Sequence, residues 1–212
     1  MNHIIKEACV ETLDEAIFAQ NKGADRIELC SDLALDGLTP SKNLFLKVLN
    51  HISIPIKIMI RPRGGNFVYN NKEIKTMIEQ IKFFKGFDIN GLVFGVLDTD
   101  RKIDIDKLQL LVNASEGLDI TFHKAIDQVS NLFNEIEILK SFPQISSILT
   151  SGCSDSALNG KNTIIKIIDS YSKYFNIIVA GKITNRNFLE IHSSIGANEY
   201  HGRKIVGSFN VC

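Results

Sequence analysis

The sequence predicts an α/β fold: a single-domain TIM-type (β/α)8 barrel with short loops and a stunted or missing last helix. Three observations point there. Eight short apolar runs alternate with stretches of helical period, the pattern of parallel strands joined by crossover helices. The turn after the first run, ACVETLDEA, has no G-x-G-x-x-G, which an open dinucleotide-binding sheet would want. At 212 residues the chain is shorter than the usual barrel of about 250. Only the residues from Gly202 to Cys212 follow the last run, which leaves little chain for a final helix.

The first strand is expected over 4–10, and Thr12 with Glu15 reads as a capping box for a helix over 12–21. Gly23 stops that helix before a second strand over 26–29. A helix over 41–50 leads to the third strand, 55–60. A helix over 72–85, stopped near Gly86, leads to the fourth, 91–96. Helix 105–115 precedes strand 119–123, and helix 132–140 precedes strand 146–149. The longest helical pattern, 157–174, precedes strand 177–180. Asn185 is placed to cap a helix over 186–195, and strand 199–201 closes the series. No low-complexity or linker-like stretch divides the chain, so one domain is expected over 1–212.

The 24 basic and 24 acidic residues balance, and no basic run is interleaved with aromatics. Nothing there favours nucleic acid or an anionic membrane surface as a partner. No apolar stretch is long enough to span a bilayer, and the N-terminal run is broken at once by Glu7, unlike a secretory signal. The expected location is cytoplasmic, where Cys9, Cys30, Cys153 and Cys212 should be mostly reduced. A homodimer is plausible for a barrel of this kind, although no residue specifies one.

Strand periodicity of two sorts the side chains onto two faces. Ile27 and Leu29 oppose Arg26, Glu28 and Cys30; Ile56, Ile58 and Ile60 oppose Lys57, Met59 and Arg61; Ile120 and Phe122 oppose Thr121 and His123. Glu7 and Cys9 share a face, as do Glu199 and His201. The apolar sets should pack under the helices and the polar sets should converge on the barrel axis. There Glu7, Glu28 and Glu199 can meet Arg26, Lys57 and Arg61. Such a network can be purely structural, each charge compensating another. Arg61, His123, Glu199 and His201 are expected nearer the C-terminal mouth, where barrel active sites lie. Two further anion sites are expected at strand ends. Arg61 and Arg63 stand beside two glycines, and Thr150, Ser151 and Gly152 offer hydroxyls and backbone N–H groups. Gly181 and Gly202 end the seventh and eighth strands, where many barrels bind phosphate.

Glu7-Ala8-Cys9 is echoed by Glu28-Leu29-Cys30. If these strands are neighbours, about 4.8 Å apart, both thiols can reach one point. Two soft sulfurs suit Cu(I); a disulfide or plain apolar filling are the alternatives.

These segments resemble the CutC copper-homeostasis family. The likeness runs through ADRIELC, MIRPRGG, GLVFGVLDTDRKID, DITFHKAID, ILTSGCSDSALNG and the closing EYHG. It implies a TIM-type barrel, a cytoplasmic protein and a part in copper handling. Copper-binding cysteines proposed in that family fall on Cys9 and Cys30. Two segments depart from the family pattern. Its His-Arg-Ala-Phe-Asp is here His123-Lys124-Ala125-Ile126-Asp127, and a glycine-rich stretch is here Ala180-Gly181-Lys182-Ile183-Thr184.

Two functions follow. The first is a copper-homeostasis protein binding Cu(I) through Cys9 and Cys30. The alternative is an enzyme of unknown reaction acting on a small anionic substrate. In it His123 serves as general acid or base, with Glu28, Glu199 and His201 around it. Arg61, Arg63, Thr150, Ser151, Gly152 and Gly181 would hold the substrate.

Overall fold

The computed structural model describes residues 3–209. Eight parallel strands close into a barrel in chain order. They are β1 (Ile5–Val10), β2 (Arg26–Leu29), β3 (Ile56–Met59), β4 (Gly91–Phe94), β5 (Ile120–Phe122), β6 (Ile145–Thr150), β7 (Asn176–Val179) and β8 (Glu199–Gly202). Closure comes from β1 pairing with β8, with Glu7 opposite His201. The crossovers are α1 (Leu13–Asn21), α2 (Lys42–Leu49), α3 (Asn71–Phe84), α4 (Ile105–Ala114), α5 (Leu132–Leu139), α6 (Lys161–Tyr171) and α7 (Phe188–Ile195). Among the described residues no helix follows β8, as the short tail implied. Cys212 lies outside the described residues.

Each strand buries both faces, because helices cover one and the barrel interior the other. Ile27, Leu29, Ile58, Ile60, Phe94 and Phe122 belong to the large apolar layer under the helices. The inward face is mixed. Cys9, Cys30, Met59 and Val93 form a small apolar group inside the barrel, separate from that layer. The period-two assignment of faces therefore holds on β1, β2 and β3.

Several helix starts differ from expectation. Thr12 accepts from the Glu15 N–H at 3.1 Å, but the Glu15 carboxylate takes the Glu11 N–H at 2.7 Å rather than that of the cap residue. The capping box is thus only half formed there. A complete one begins α3, where Asn70 and Glu73 satisfy each other's backbone N–H groups. Asn185 caps nothing. α7 starts later, and Asn187 turns its side chain back to the Thr184 N–H at 2.8 Å. Residues 157–160 form a turn instead of the first turn of α6, because Gly160 must pack on the Ser151 backbone: a Cβ there would lie 1.9 Å from the Ser151 carbonyl oxygen.

Candidate functional site

The deepest polar groups enter from the N-terminal halves of the strands. Register places Glu7 beside Arg26 and Glu28 beside Lys57. Arg26 donates from Nε to Glu7 and from its terminal nitrogen to Glu199, the latter at 2.6 Å. Lys57 donates to the Thr121 hydroxyl at 2.7 Å and stands 4.0 Å from Glu7. Burial alone would raise the Glu7 pKa, but Arg26, His201 and Lys57 together hold its carboxyl far below the usual range. Burial pulls Lys57 below the usual lysine range. Glu199 belongs to this lower layer, not to the mouth. It is the first residue of β8, level with Ile5, and its carboxylate is taken by Arg26.

One turn of the strands higher, the two cysteines meet. Their sulfurs are 3.7 Å apart, and Glu28 Oε1 lies 3.6 Å from Cys9 Sγ and 3.3 Å from Cys30 Sγ. Cys30 is fully buried and Cys9 is 7% exposed. The second Glu28 oxygen has no hydrogen-bond partner. Burial pushes the Glu28 carboxyl up to about 8. The hydrogen bond from Cys30 brings the Cys9 thiol down to about 6, with His201 assisting, while the same contact and burial push Cys30 well above the usual thiol range. His201 donates to Glu7 Oε1 at 2.8 Å. Burial opposes its charge, but Glu28, Cys9 and Glu7 outweigh burial and hold it protonated well above the usual range.

Above these groups opens a cavity of about 530 Å³, lined by Cys9, Glu28, Met59, Arg61, His123 and His201 among others. Arg61 does not offer a free guanidinium fork. One terminal nitrogen donates to the carbonyls of Leu35, Asp36 and Gly37 at 2.8, 3.1 and 3.2 Å, and the other to Gly65 at 2.9 Å. Its guanidinium lies 4.9 Å from the Phe67 ring centre. Arg61 therefore clamps the loops after β2 and β3 together, and only its Nε–H lacks a partner. Arg63 is outside the cavity lining. It pairs with Glu73 at 2.6 Å and donates to the Val68 carbonyl at 2.7 Å, so the expected two-arginine anion site does not form.

His123 follows β5 and caps the short helical turn after it: its Nδ1 accepts from the Ala125 N–H at 3.2 Å. The neutral ring must then carry its proton on Nε2, and Nε2 has no partner. Burial, with Arg61 nearby, lowers its pKa to about 3. Among the described residues no carboxylate bonds to the ring, so the expected carboxylate-oriented acid–base histidine is not what the geometry provides.

The donors of Thr150 and Ser151 do converge on an anion, but it is the chain's own. Asp127 accepts from the Ser151 N–H at 2.9 Å, the Ser151 hydroxyl at 2.8 Å, the Cys153 N–H at 3.0 Å and the Thr150 hydroxyl. Gly152 has φ +69° with no room for a Cβ against Gly160. Gly181, at φ +110°, gives its carbonyl to the Ala157 N–H at 2.9 Å, and a Cβ there would meet that nitrogen at 2.8 Å. Gly202 is closed in the same way by the Ile183 carbonyl, 2.4 Å from where its Cβ would be. Loop backbone thus packs closely on the glycines at the tops of β6, β7 and β8, while Ser151 and His201 beside them still line the cavity. The sequence reading did not single out Asp127 or Phe67. The only signal for Asp127 was its place four residues beyond His123 in the conspicuous segment HKAID.

The CutC family model matches residues 4–206. The chain belongs to the CutC family. The human copper homeostasis protein cutC homolog is 38% identical over 200 residues, covering 94% of this chain and 73% of the human one. The CutC protein of Aliivibrio fischeri is 39% identical over 198 residues, covering 92% and 79%. The crystal structure of the CutC copper homeostasis protein of Streptococcus agalactiae superposes with a TM-score of 0.89 at 31% identity, covering 95% of this chain and 99% of that one. A Burkholderia cenocepacia phosphonomutase, at TM-score 0.62 and 12% identity, shares the fold alone. In this CutC barrel no helix among the described residues is long and apolar enough to cross a membrane.

Proposed function

We propose that this CutC protein serves copper homeostasis in the cytoplasm by holding Cu(I) between Cys9 and Cys30. The carrying observation is the placement of two soft sulfurs 3.7 Å apart beside a cavity. A metal–sulfur bond is about 2.3 Å, so one ion reaches both thiolates with a bent angle between them. Hard cations would ask for several oxygens, whereas two thiolates select Cu(I) among the common soft ions. The nearby Glu28 places one further ligand atom within 4.8 Å of both sulfurs.

Charge supports the same assignment. Around the pair, Arg26, Lys57 and His201 are cationic groups facing the committed carboxylates of Glu7 and Glu199. That surrounding favours one additional negative charge. A monovalent ion between two thiolates carries one net negative charge, and a divalent ion would carry none. The relatives' shared description as copper homeostasis proteins agrees with this reading.

Anaerobic titration with Cu(I) against a competing chelator tests it. The intact protein should bind one equivalent. Cys9→Ser and Cys30→Ser together should cost more than the roughly 10–100-fold that losing an outer partner of a metal site costs. Equal affinity in the two proteins would sink the assignment.

A further inference from the structure

We propose that the corner of the mouth formed by Arg61 and His123 is a separate binding site for a small organic carboxylate. Arg61 is 3% exposed, and among the described residues no carboxylate lies within ion-pair distance of it. Its charge is met by carbonyl dipoles at the terminal nitrogens and by the face of the Phe67 ring, with no anion, and its Nε–H is left over. An unpaired buried charge is costly, and an anionic partner removes that cost. His123, 4% exposed, contributes the second unpartnered donor, Nε2–H. Both residues line the same cavity. The two N–H groups come from the ends of β3 and β5, share Phe67 as a neighbour, and together suit the two oxygens of one carboxylate.

The rest of the lining describes the body of the ligand. Leu33, Met59, Phe67 and Leu149 are apolar walls, and about 530 Å³ lies within the usual range for small-molecule sites. Those walls favour a carboxylate with a short carbon skeleton over inorganic phosphate. Lys124, exposed at the lining and without an ion-pair partner among the described residues, adds attraction at the entrance. Of the other charged groups there, Asp127 is taken by the β6 loop, Asp155 by Lys182, Arg203 by Glu11 and His201 by Glu7, while Asp36 lies exposed. Burial pushes the Glu28 carboxyl up to about 8, so near neutral pH it is mainly protonated and does not repel an anion. The Phe67 ring lies 4.7 Å from the His123 ring and 4.9 Å from the Arg61 guanidinium, so it flanks both groups, and because the two donor atoms are themselves buried, side chains at this corner must shift for a ligand to reach them. His123 remains neutral in its buried setting, which makes it a donor without adding a second charge.

Calorimetric titration with butyrate, succinate, 2-oxoglutarate and inorganic phosphate tests this on the intact protein. At least one carboxylate should bind saturably and more tightly than phosphate. His123→Asn retains a side-chain oxygen able to cap the Ala125 N–H but removes the Nε2–H. It should weaken binding about tenfold, the scale of one hydrogen bond to a charged group. Arg61→Lys keeps the charge, loses Nε–H and should weaken binding at least as much. Circular dichroism confirms that each variant is folded, and the His123 variant decides alone if the Arg61 variant is not. The double substitution Cys9→Ser/Cys30→Ser should bind the carboxylate normally, which separates this site from the copper proposal. No carboxylate binding in the intact protein, tighter binding of phosphate, or unchanged affinity in a folded His123→Asn would overturn it.

Discussion

Arg26 begins β2 and Arg61 follows the end of the neighbouring β3; they are 7% and 3% exposed. Their surroundings differ in kind. Arg26 meets two carboxylates, Glu7 and Glu199, and neither it nor they keep a buried polar atom without a partner. Arg61 meets backbone carbonyls and the Phe67 ring but no carboxylate, and its Nε–H, the His123 Nε2–H and one Glu28 oxygen are left over. Buried polar groups are nearly always satisfied in folded proteins. The lower layer therefore explains itself as structure, while the upper layer has unfilled bonding capacity that a ligand can meet. The bland reading of the ionic network holds for one half of the interior and fails for the other.

The largest effect should come from breaking the lower layer. Glu7→Gln leaves Arg26, Lys57 and His201 short of their shared counter-charge, all in a dry interior. Removing one partner of a buried ion pair costs about 3–5 kcal/mol. Urea unfolding of the protein without copper should show a loss of that order. If the variant is within about 1 kcal/mol of the parent, the layer is not a closed electrostatic unit.

A smaller effect, confined to one pH window, should come from His123. Its folded pKa is lowered from 6.5 to about 3. The unfolded chain therefore takes up a proton that the folded protein refuses. The stability this neutral ring contributes is complete above pH 6.5 and is lost as pH falls toward 3. Within that window the slope approaches about 1.4 kcal/mol per pH unit. Glu7 has a depressed carboxyl and acts in the same direction, but only below its unfolded value of 4.5. Between pH 6.5 and 4.5 Glu7 is silent, but Glu28, whose folded carboxyl is pushed up to about 8, contributes a slope of opposite sign in both proteins. His123→Asn should therefore lower the parent's slope there by up to about 1.4 kcal/mol per pH unit, measured by urea midpoints. An equal slope in the variant would mean that the ring is not held neutral.

Residue parity and burial cost were legible in the sequence, and depth was not. Period two told Glu28 from Leu29 and Lys57 from Ile58, because a one-residue error would put every charge under the helices. Two early strands each ending Glu-x-Cys were enough to bring two sulfurs together, once the strands were neighbours. Glu199 lies lower than the sequence suggests because height depends on how β8 is staggered against β1, and stagger is a property of the closed barrel. In sequence Arg61, Thr150 and Ser151 resemble open anion binders because their partners are distant in the chain. The carbonyls of 35–37 and the Asp127 carboxylate arrive through loops whose course no local pattern records. Donor-rich strand ends announced that an anion would be bound there, but not that the chain itself supplies one.

The smallest expected effect sharpens the boundary of the upper site. Arg63 stands two residues from Arg61 and, unlike it, is ion-paired, to Glu73, but the Arg63 side chain is 36% exposed and the Glu73 side chain 22%. Water screens such a pair, and exposed pairs contribute about 0–1 kcal/mol. Arg63 also ties the Asn66 and Val68 carbonyls and lies over the Tyr69 ring at 5.0 Å, so its replacement loosens the loop locally. Arg63→Ala should shift the urea midpoint by the equivalent of about 1 kcal/mol or less. It should leave both Cu(I) affinity and carboxylate affinity where they are in the parent protein. A tenfold loss of carboxylate binding in Arg63→Ala would mean that loop order, and not the two donors of Arg61 and His123, governs the corner. The comparison between the two arginines of the RPR segment would then have to be redrawn around the loop.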